Sequence, residues 1–119
     1  NRMDIALSPF PYGGVTTSAE GLWMGVPVLT KRGDRFLSHV GETIAHNVGL
    51  SGWIAADEDE YVAKAVAFSS DLKGLAKLRA GLRGQLPSSP LFNSSRFANH
   101  FEKAVWSMWE LRKEEKIAL

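Results

Sequence analysis

Apolar and polar positions change rhythm several times along this chain, and each change marks an element. The run Met3-Asp4-Ile5-Ala6-Leu7 predicts a buried opening strand. Ser8-Pro9-Phe10-Pro11 ends it, because prolines so closely spaced cannot continue a central strand. Gly13-Gly14 then turns the chain. Thr16-Thr17-Ser18 supplies helix-start chemistry, and Glu20 follows Thr17 at capping-box spacing. Leu22, Trp23 and Met24 extend that helix until Gly25 and Pro27 stop it. Val26 to Thr30 predicts a second strand with its proline near the entry, where a missing backbone donor costs least.

Gly33-Asp34 makes another turn. Leu37, Val40, Ile44 and Val48 recur at helical spacing, and Gly49 closes that helix. Trp53-Ile54-Ala55 predicts a brief strand. The acids from Asp57 to Glu60 suit the positive end of a helix dipole, and Tyr61, Val62, Ala65, Val66 and Phe68 form the expected buried side. Asp71 can cap the next helix. Its stripe is Leu72, Leu75, Leu78, Leu82 and Leu86, with Lys73, Lys77, Arg79 and Arg83 mostly off it. Pro87 to Pro90 breaks it. A last helix starts near Ser94 with Phe97, Phe101, Val105 and Met108 on one face, widened by Trp106 and Trp109. The order of strand, helix, strand, helix, short strand and helices predicts an α/β unit with a small parallel sheet. Right-handed crossovers place the turn after the first strand at the sheet's carboxyl edge. In open α/β sheets that edge is where ligands bind.

Composition narrows the function classes. With 119 residues the chain is one domain in size, 45% hydrophobic and 23% charged, as in ordinary soluble proteins. A formal net charge of +1 gives no global field for nucleic acid or an anionic membrane. The absence of cysteine removes disulfides and thiolate metal sites and fits a reducing compartment, so the expected location is cytoplasmic. No apolar run approaches the roughly 20 residues that span a bilayer. The chain opens on Asn1 and enters its first strand with no lead-in, which suggests a piece of a longer protein.

The chemistry concentrates in Tyr12 to Glu20. A strand ends, two glycines allow a tight turn, and a helix begins on hydroxyl residues. The first amides of a helix lack intrahelical partners and, with the dipole, make a phosphate site. Thr16 and Thr17 can add hydroxyl donors, and Glu20 can accept from ribose hydroxyls. The segment is neither a Walker loop nor G-x-G-x-x-G. On the residues alone, a capped helix after a glycine turn, with Glu20 reaching back to its own N-terminus, is the stronger of the two readings. His39, His46 and His100 lack metal-ligand spacing and read as surface or cap residues. The acidic run Asp57 to Glu60 reads as a solvated helix start rather than a cation site. Lys31, Arg32 and Arg35 lie in the loop after the second strand on the same predicted edge as Thr16, where a role at bound phosphates is the weaker reading and a plain surface role the stronger. The bases of the Leu-striped helix read as a solvated face.

Two blocks carry a family resemblance. The first is Asp4 to Tyr12 with Thr16-Thr17 and Glu20 to Val28; the second is Ser88 to Asn93 with Phe97 and Met108-Trp109-Glu110. Glu60-Tyr61-Val62 and Ala65-Val66 fit the same pattern. Together they resemble the C-terminal catalytic lobe of O-GlcNAc transferase-like glycosyltransferases, the SPINDLY/O-linked N-acetylglucosamine transferase family, over nearly the whole chain. The resemblance implies a Rossmann-like C-terminal lobe of a GT-B glycosyltransferase, with a small parallel sheet flanked by helices and a helical C-terminus. It implies one fragment over residues 1–119, its α/β part reaching about residue 90. The C-terminal helix, about 91–119, would pack toward a first lobe that this chain lacks. The implied reaction is an inverting transfer of N-acetylglucosamine from UDP-GlcNAc to serine or threonine of a protein or peptide acceptor. It needs no metal and no cofactor beyond the UDP-sugar donor. Relatives carry tetratricopeptide repeats and a first lobe ahead of this part.

Residue by residue, the resemblance makes Thr16 and Thr17 the pair that holds the diphosphate, Glu20 the acid at the ribose, and Gly14 the turn glycine. Val15 stands where animal members carry histidine beside the phosphates and many bacterial ones carry glycine. The family's proton acceptor and phosphate-binding lysine fall upstream of Asn1, so no catalytic residue is assigned in this chain. Ser8, Gly13 and His39 depart from the aspartate, asparagine and arginine usual in relatives. These departures and Val15 put the exact donor and the catalytic efficiency in question. Two rival readings stay open: another sugar-nucleotide enzyme on the same scaffold, such as an epimerase, and a non-catalytic interaction module that has kept the fold.

Overall fold

The structure, a computed structural model, describes residues 3–117. Three short parallel strands form the sheet: β1 (Ala6–Leu7), β2 (Val28–Lys31) and β3 (Ile54–Ala55), in the order β1-β2-β3. The helices are α1 (Thr16–Trp23), α2 (Val40–Asn47), α3 (Glu58–Ser70), α4 (Leu72–Gln85) and α5 (Ser94–Ile117). Tight 3₁₀ turns at Phe36–His39, Ser51–Trp53 and Leu86–Ser88 join them. The expected α/β unit with a small parallel sheet is what forms.

The first half of β2 pairs with β1 (Ala6 opposite Val28, Leu7 opposite Leu29) and the second half with β3 (Thr30 opposite Ile54, Lys31 opposite Ala55). β2 is buried at Val28, Leu29 and Thr30, as a central parallel strand should be. The opening strand is shorter than Met3–Leu7 and is not buried: Leu7 is 57% exposed. Its one strand neighbour among the described residues is β2, so the outer edge of β1 faces solvent.

The core joins Leu22 of α1, Leu29 of β2, Ile44 and Ala45 of α2, and Leu75, Leu82 and Leu86 from α4 and the turn after it. Trp53 stacks on Phe68 at 4.2 Å between ring centres, tying the third strand's approach to α3. Asp71 caps α4 by accepting from the Gly74 amide at 2.9 Å, as expected. The buried stripe of α4 begins at Leu75, since Leu72 in the opening turn is 71% exposed. Val62 and Val66 also leave the expected buried side of α3, at 61% exposed each, while Tyr61, Ala65 and Phe68 pack against the core. A three-residue stripe is enough to seat α3 on a sheet this narrow. Leu37 lies in the exposed 3₁₀ turn rather than in α2, which Gly49 closes at φ +77°.

Gly25 ends α1 at φ +75°, a conformation that side chains resist. There α4 meets α1: Arg79 Nε donates to the Gly25 carbonyl at 3.0 Å, and the same guanidinium pairs with Asp4. Asn93 caps α5 by accepting from the Arg96 amide at 2.9 Å. Beyond that start, Phe101, Val105, Trp106, Met108 and Trp109 are all exposed, so the aromatic face of α5 does not finish this core.

Truncating Leu82, which has no exposed surface, should cost about 2–5 kcal/mol of unfolding free energy in Leu82→Ala. Leu72→Ala should stay within about 0.5 kcal/mol. Urea unfolding followed by circular dichroism separates the two.

Candidate functional site

Between β1 and α1 the chain runs through Ser8 to Val15. The Gly13-Gly14 pair is required by close approach rather than by positive φ, which only Gly25 and Gly49 adopt among the described residues. A Cβ on Gly13 would fall far inside contact distance of Ser8 Oγ, and one on Gly14 would overlap Thr17 Oγ1. The Phe10–Pro11 peptide is cis.

The helix start differs from the expected capping box. α1 begins at Thr16 with Val15 in the N-cap position, and no side chain caps it. Thr17 therefore already has helical backbone, and its hydroxyl stands over Gly14 instead of bonding an amide ahead. Glu20 does not reach back to the N-terminus. The Ser18 hydroxyl is used up, donating to the Gly14 carbonyl at 2.6 Å. The consequence is chemical: Thr16 and Thr17 are exposed, and the first amides of α1 have no capping partner.

A cleft of about 420 Å³ opens beside this helix start, lined by Gly14, Thr17 and Glu20 together with Ser8, Leu7 and Met24. The structure thus brings three of the five expected binding residues to one cleft. Val15 and Thr16 are exposed at the helix tip, outside its lining. Glu20 is the one charged residue among the described residues lining it, so attraction for an anion there comes from amides and hydroxyls.

Lys31, the last residue of β2, and Arg32 after it line a separate hollow with Phe10, Pro11 and Glu58, and Arg35 is not in its lining. Lys31 Nζ sits 4.3 Å above the Phe10 ring centre and 3.3 Å from Glu58 Oε1. Arg32 donates to Glu42 Oε1 through Nε at 2.9 Å and Nη2 at 2.6 Å. His39 Nδ1 lies 2.8 Å from Glu42 Oε2, and His46 Nε2 lies 3.6 Å from Oε1. Glu42 is thus a hub for three basic side chains. The acid run is structural as well: Asp57 accepts from the Glu60 amide at 2.8 Å, and Glu60 accepts from the Ala56 amide at 2.6 Å. Asp57 is thus the N-cap of α3, and Glu60 ties back the amide just before it. Among the described residues no cluster of three or more His, Asp or Glu is arranged to hold a metal ion.

Two features beside the cleft are not visible in sequence. Tyr61, expected on the buried side of α3, donates its hydroxyl to the Ser8 carbonyl at 2.9 Å across 53 residues of sequence. Ser8 itself is 5% exposed, and its hydroxyl has no hydrogen-bond partner among the described residues. Neither feature leaves a trace in periodicity or local spacing.

The family model for glycosyl transferase family 41 matches residues 2–101. The chain belongs to that family. It is 44% identical over 108 residues to a probable UDP-N-acetylglucosamine–peptide N-acetylglucosaminyltransferase SPINDLY of Arabidopsis thaliana, covering 91% of this chain and 12% of that protein. The SPINDLY protein of Solanum lycopersicum is 42% identical over 107 residues, covering 90% and 12%. Among solved structures, an O-GlcNAc transferase mutant of Thermobaculum terrenum superposes with a TM-score of 0.82 at 37% identity. That match covers 89% of this chain and 20% of the solved one. This family 41 chain therefore spans about an eighth of the length of its curated relatives. The expected fold, a Rossmann-like C-terminal lobe of a GT-B glycosyltransferase, stands, and the family is one of glycosyltransferases.

Glu42 supplies a pH test of the edge. Its carboxyl is held below the ordinary value of 4.5, first by the hydrogen bond to His39 and next by those from Arg32, against a smaller burial penalty. A depressed carboxylate stabilises the fold above its unfolded pKa, and the contribution disappears as pH falls through the lower folded value. The thermal unfolding midpoint of the wild type should therefore fall as the pH drops below 4.5. Glu42→Gln should remove that part of the acid dependence and start from a lower midpoint at neutral pH.

Proposed function

We propose that this chain is the distal part of the donor-binding lobe of an inverting glycosyltransferase that moves N-acetylglucosamine from UDP-GlcNAc to serine or threonine of a protein or peptide. The observation that carries the reading is the uncapped start of α1, with free threonine hydroxyls and Glu20 one turn along the same cleft. In this reading the amides at the helix tip and the hydroxyls of Thr16 and Thr17 hold the diphosphate, and Glu20 accepts from the ribose. Gly14 lets the phosphates approach, and Val15 flanks them at the tip. As the sugar departs, the helix end stabilises the negative charge growing on the diphosphate. The diphosphate is held without a metal or other cofactor, and no residue of this chain acts as the proton acceptor.

The relatives named for peptide N-acetylglucosaminyltransfer support the donor and acceptor classes. The chain's small share of their length supports a first lobe and upstream repeats as further partners. The exposed aromatic face of α5 suits packing against that first lobe, so the α/β part to about residue 90 and the helix after it play different roles. A cytoplasmic location belongs to the same proposal and is supported by the lack of cysteine.

Calorimetry with UDP on the longer protein tests the site. Thr17→Val removes a hydrogen bond to a charged group and should weaken binding about tenfold or more. Glu20→Ala should weaken it about threefold to tenfold. Unchanged affinity in both variants would remove the assignment, and the product formed from UDP-GlcNAc separates transfer from epimerisation.

A further inference from the structure

The loop that builds the cleft is poorly held by its own backbone. Ser8 donates its amide to Leu29 O at 2.9 Å, and the next backbone bond beyond it is Ala19 N to Val15 O. Among the described residues no backbone–backbone bond ties Pro9 to Gly13 to the rest of the fold. A nucleotide site needs this segment fixed, because a shift of about 1 Å at a bound group can cost two orders of magnitude.

α3 supplies the fixing from two points on one face, Glu58 and Tyr61, spaced i and i+3. Tyr61 donates to the Ser8 carbonyl at 2.9 Å, and its ring meets Phe10 edge-on at 5.6 Å and 82°. Glu58 holds Lys31, and Lys31 Nζ sits over the Phe10 ring. Phe10 is thereby in contact with both Tyr61 and Lys31. The contacts then run inward without a gap. Ser8 packs its buried side chain on Gly13, Gly14 follows, the Gly14 carbonyl takes the Ser18 hydroxyl, and Thr17 Oγ1 rests over the Gly14 Cα. The Asp57 cap and the bond from the Ala56 amide to Glu60 anchor the α3 end from which all this starts.

We infer that Tyr61 is a positioning residue for the nucleotide turn, acting through the Ser8 carbonyl, with the Phe10–Lys31–Glu58 stack as its brace. The inference rests on the nucleotide reading of the cleft. Tyr61 keeps its proton at neutral pH, since burial pushes the phenol above its ordinary value, and so it stays a donor. Tyr61→Phe keeps the ring against Phe10 and removes only the bond to the loop.

The test uses the full-length protein, with two measurements on each variant. Hydrogen exchange without ligand reads the loop from Ser8 to Val15, and calorimetry reads the dissociation constant for UDP. Tyr61→Phe should speed exchange in that loop, leave β2 and α4 unchanged, and weaken UDP about fivefold, the loss expected for one neutral hydrogen bond. Lys31→Met, which removes the brace at Phe10, should shift both readings in the same direction and less. Faster loop exchange with unchanged UDP affinity in Tyr61→Phe overturns the inference and leaves the nucleotide reading in place. Unchanged exchange overturns it too. A wild type that does not bind UDP removes the nucleotide reading itself, and the positioning role with it. A merely structural Tyr61 would lower the unfolding midpoint and speed exchange throughout the sheet, which also counts against the inference.

Discussion

The site at the carboxyl edge hangs from β2, the strand whose neighbours are staggered along it. Val28 and Leu29 pair with β1, and Thr30 and Lys31 with β3. The stagger sets the geometry of everything beyond. β1 stops level with Leu29, so its loop must cross the ends of the strands that run on, and there it meets Lys31 and the start of α3. Burial enforces the register: slipping β2 by one residue would exchange its two packed faces and force Leu29, which has no accessible surface, into the other layer. Gly41 shows how closely the layers approach, since a Cβ there would fall inside contact distance of Thr30 Oγ1. A helix can lie on this strand only where its own side chain is missing.

The elements were legible because each carries its own local signal. Gly25 and Gly49 stop helices at positive φ, Asp57 and Asp71 cap them, and Val28-Leu29-Thr30 is apolar enough for a strand covered on both sides. What sequence misjudged was burial at the margins. Leu72, Val62, Val66 and Leu37 have the right spacing, but a three-stranded sheet cannot cover every apolar residue that points toward it. The opening strand fails for the same reason, since Leu7 lies on an edge with one partner. Apolar spacing reports which face a residue is on, and the extent of the neighbouring layer decides whether that face is covered.

The candidate site was legible in outline as a segment, and the start of its helix was misread. Thr16, Thr17, Gly14 and Glu20 could be picked out in sequence, but the Thr17–Glu20 spacing suggested a cap that the fold does not make. The cause is a shift of two residues in where α1 begins, with Val15 and not Thr17 at the N-cap, which spacing alone does not resolve. A side-chain cap appears instead on α3, where Asp57 accepts from the Glu60 amide and Glu60 from the Ala56 amide. The exchange has consequences. A capped α1 would already have spent the groups a phosphate needs. An uncapped α1 leaves them exposed, while the capped α3 provides the firm end that holds the loop through Tyr61.

Charge placement completes this division of labour. Lys31 and Arg32 lie on the right edge for an anion, yet both are already paired, with Glu58 and Phe10 in one case and Glu42 in the other. Their charge is spent on holding loops and not on the cleft. Among the described residues lining the cleft the one charge is that of Glu20, which would repel a diphosphate and accept from a sugar hydroxyl. A helix tip and two hydroxyls can orient a diphosphate, but they do not neutralise it. On the proposed reading, a cation from outside the cleft would have to do so. The cleft would then be one half of a site, setting the position and direction of the nucleotide and leaving the balance of charge to groups that are not in its lining.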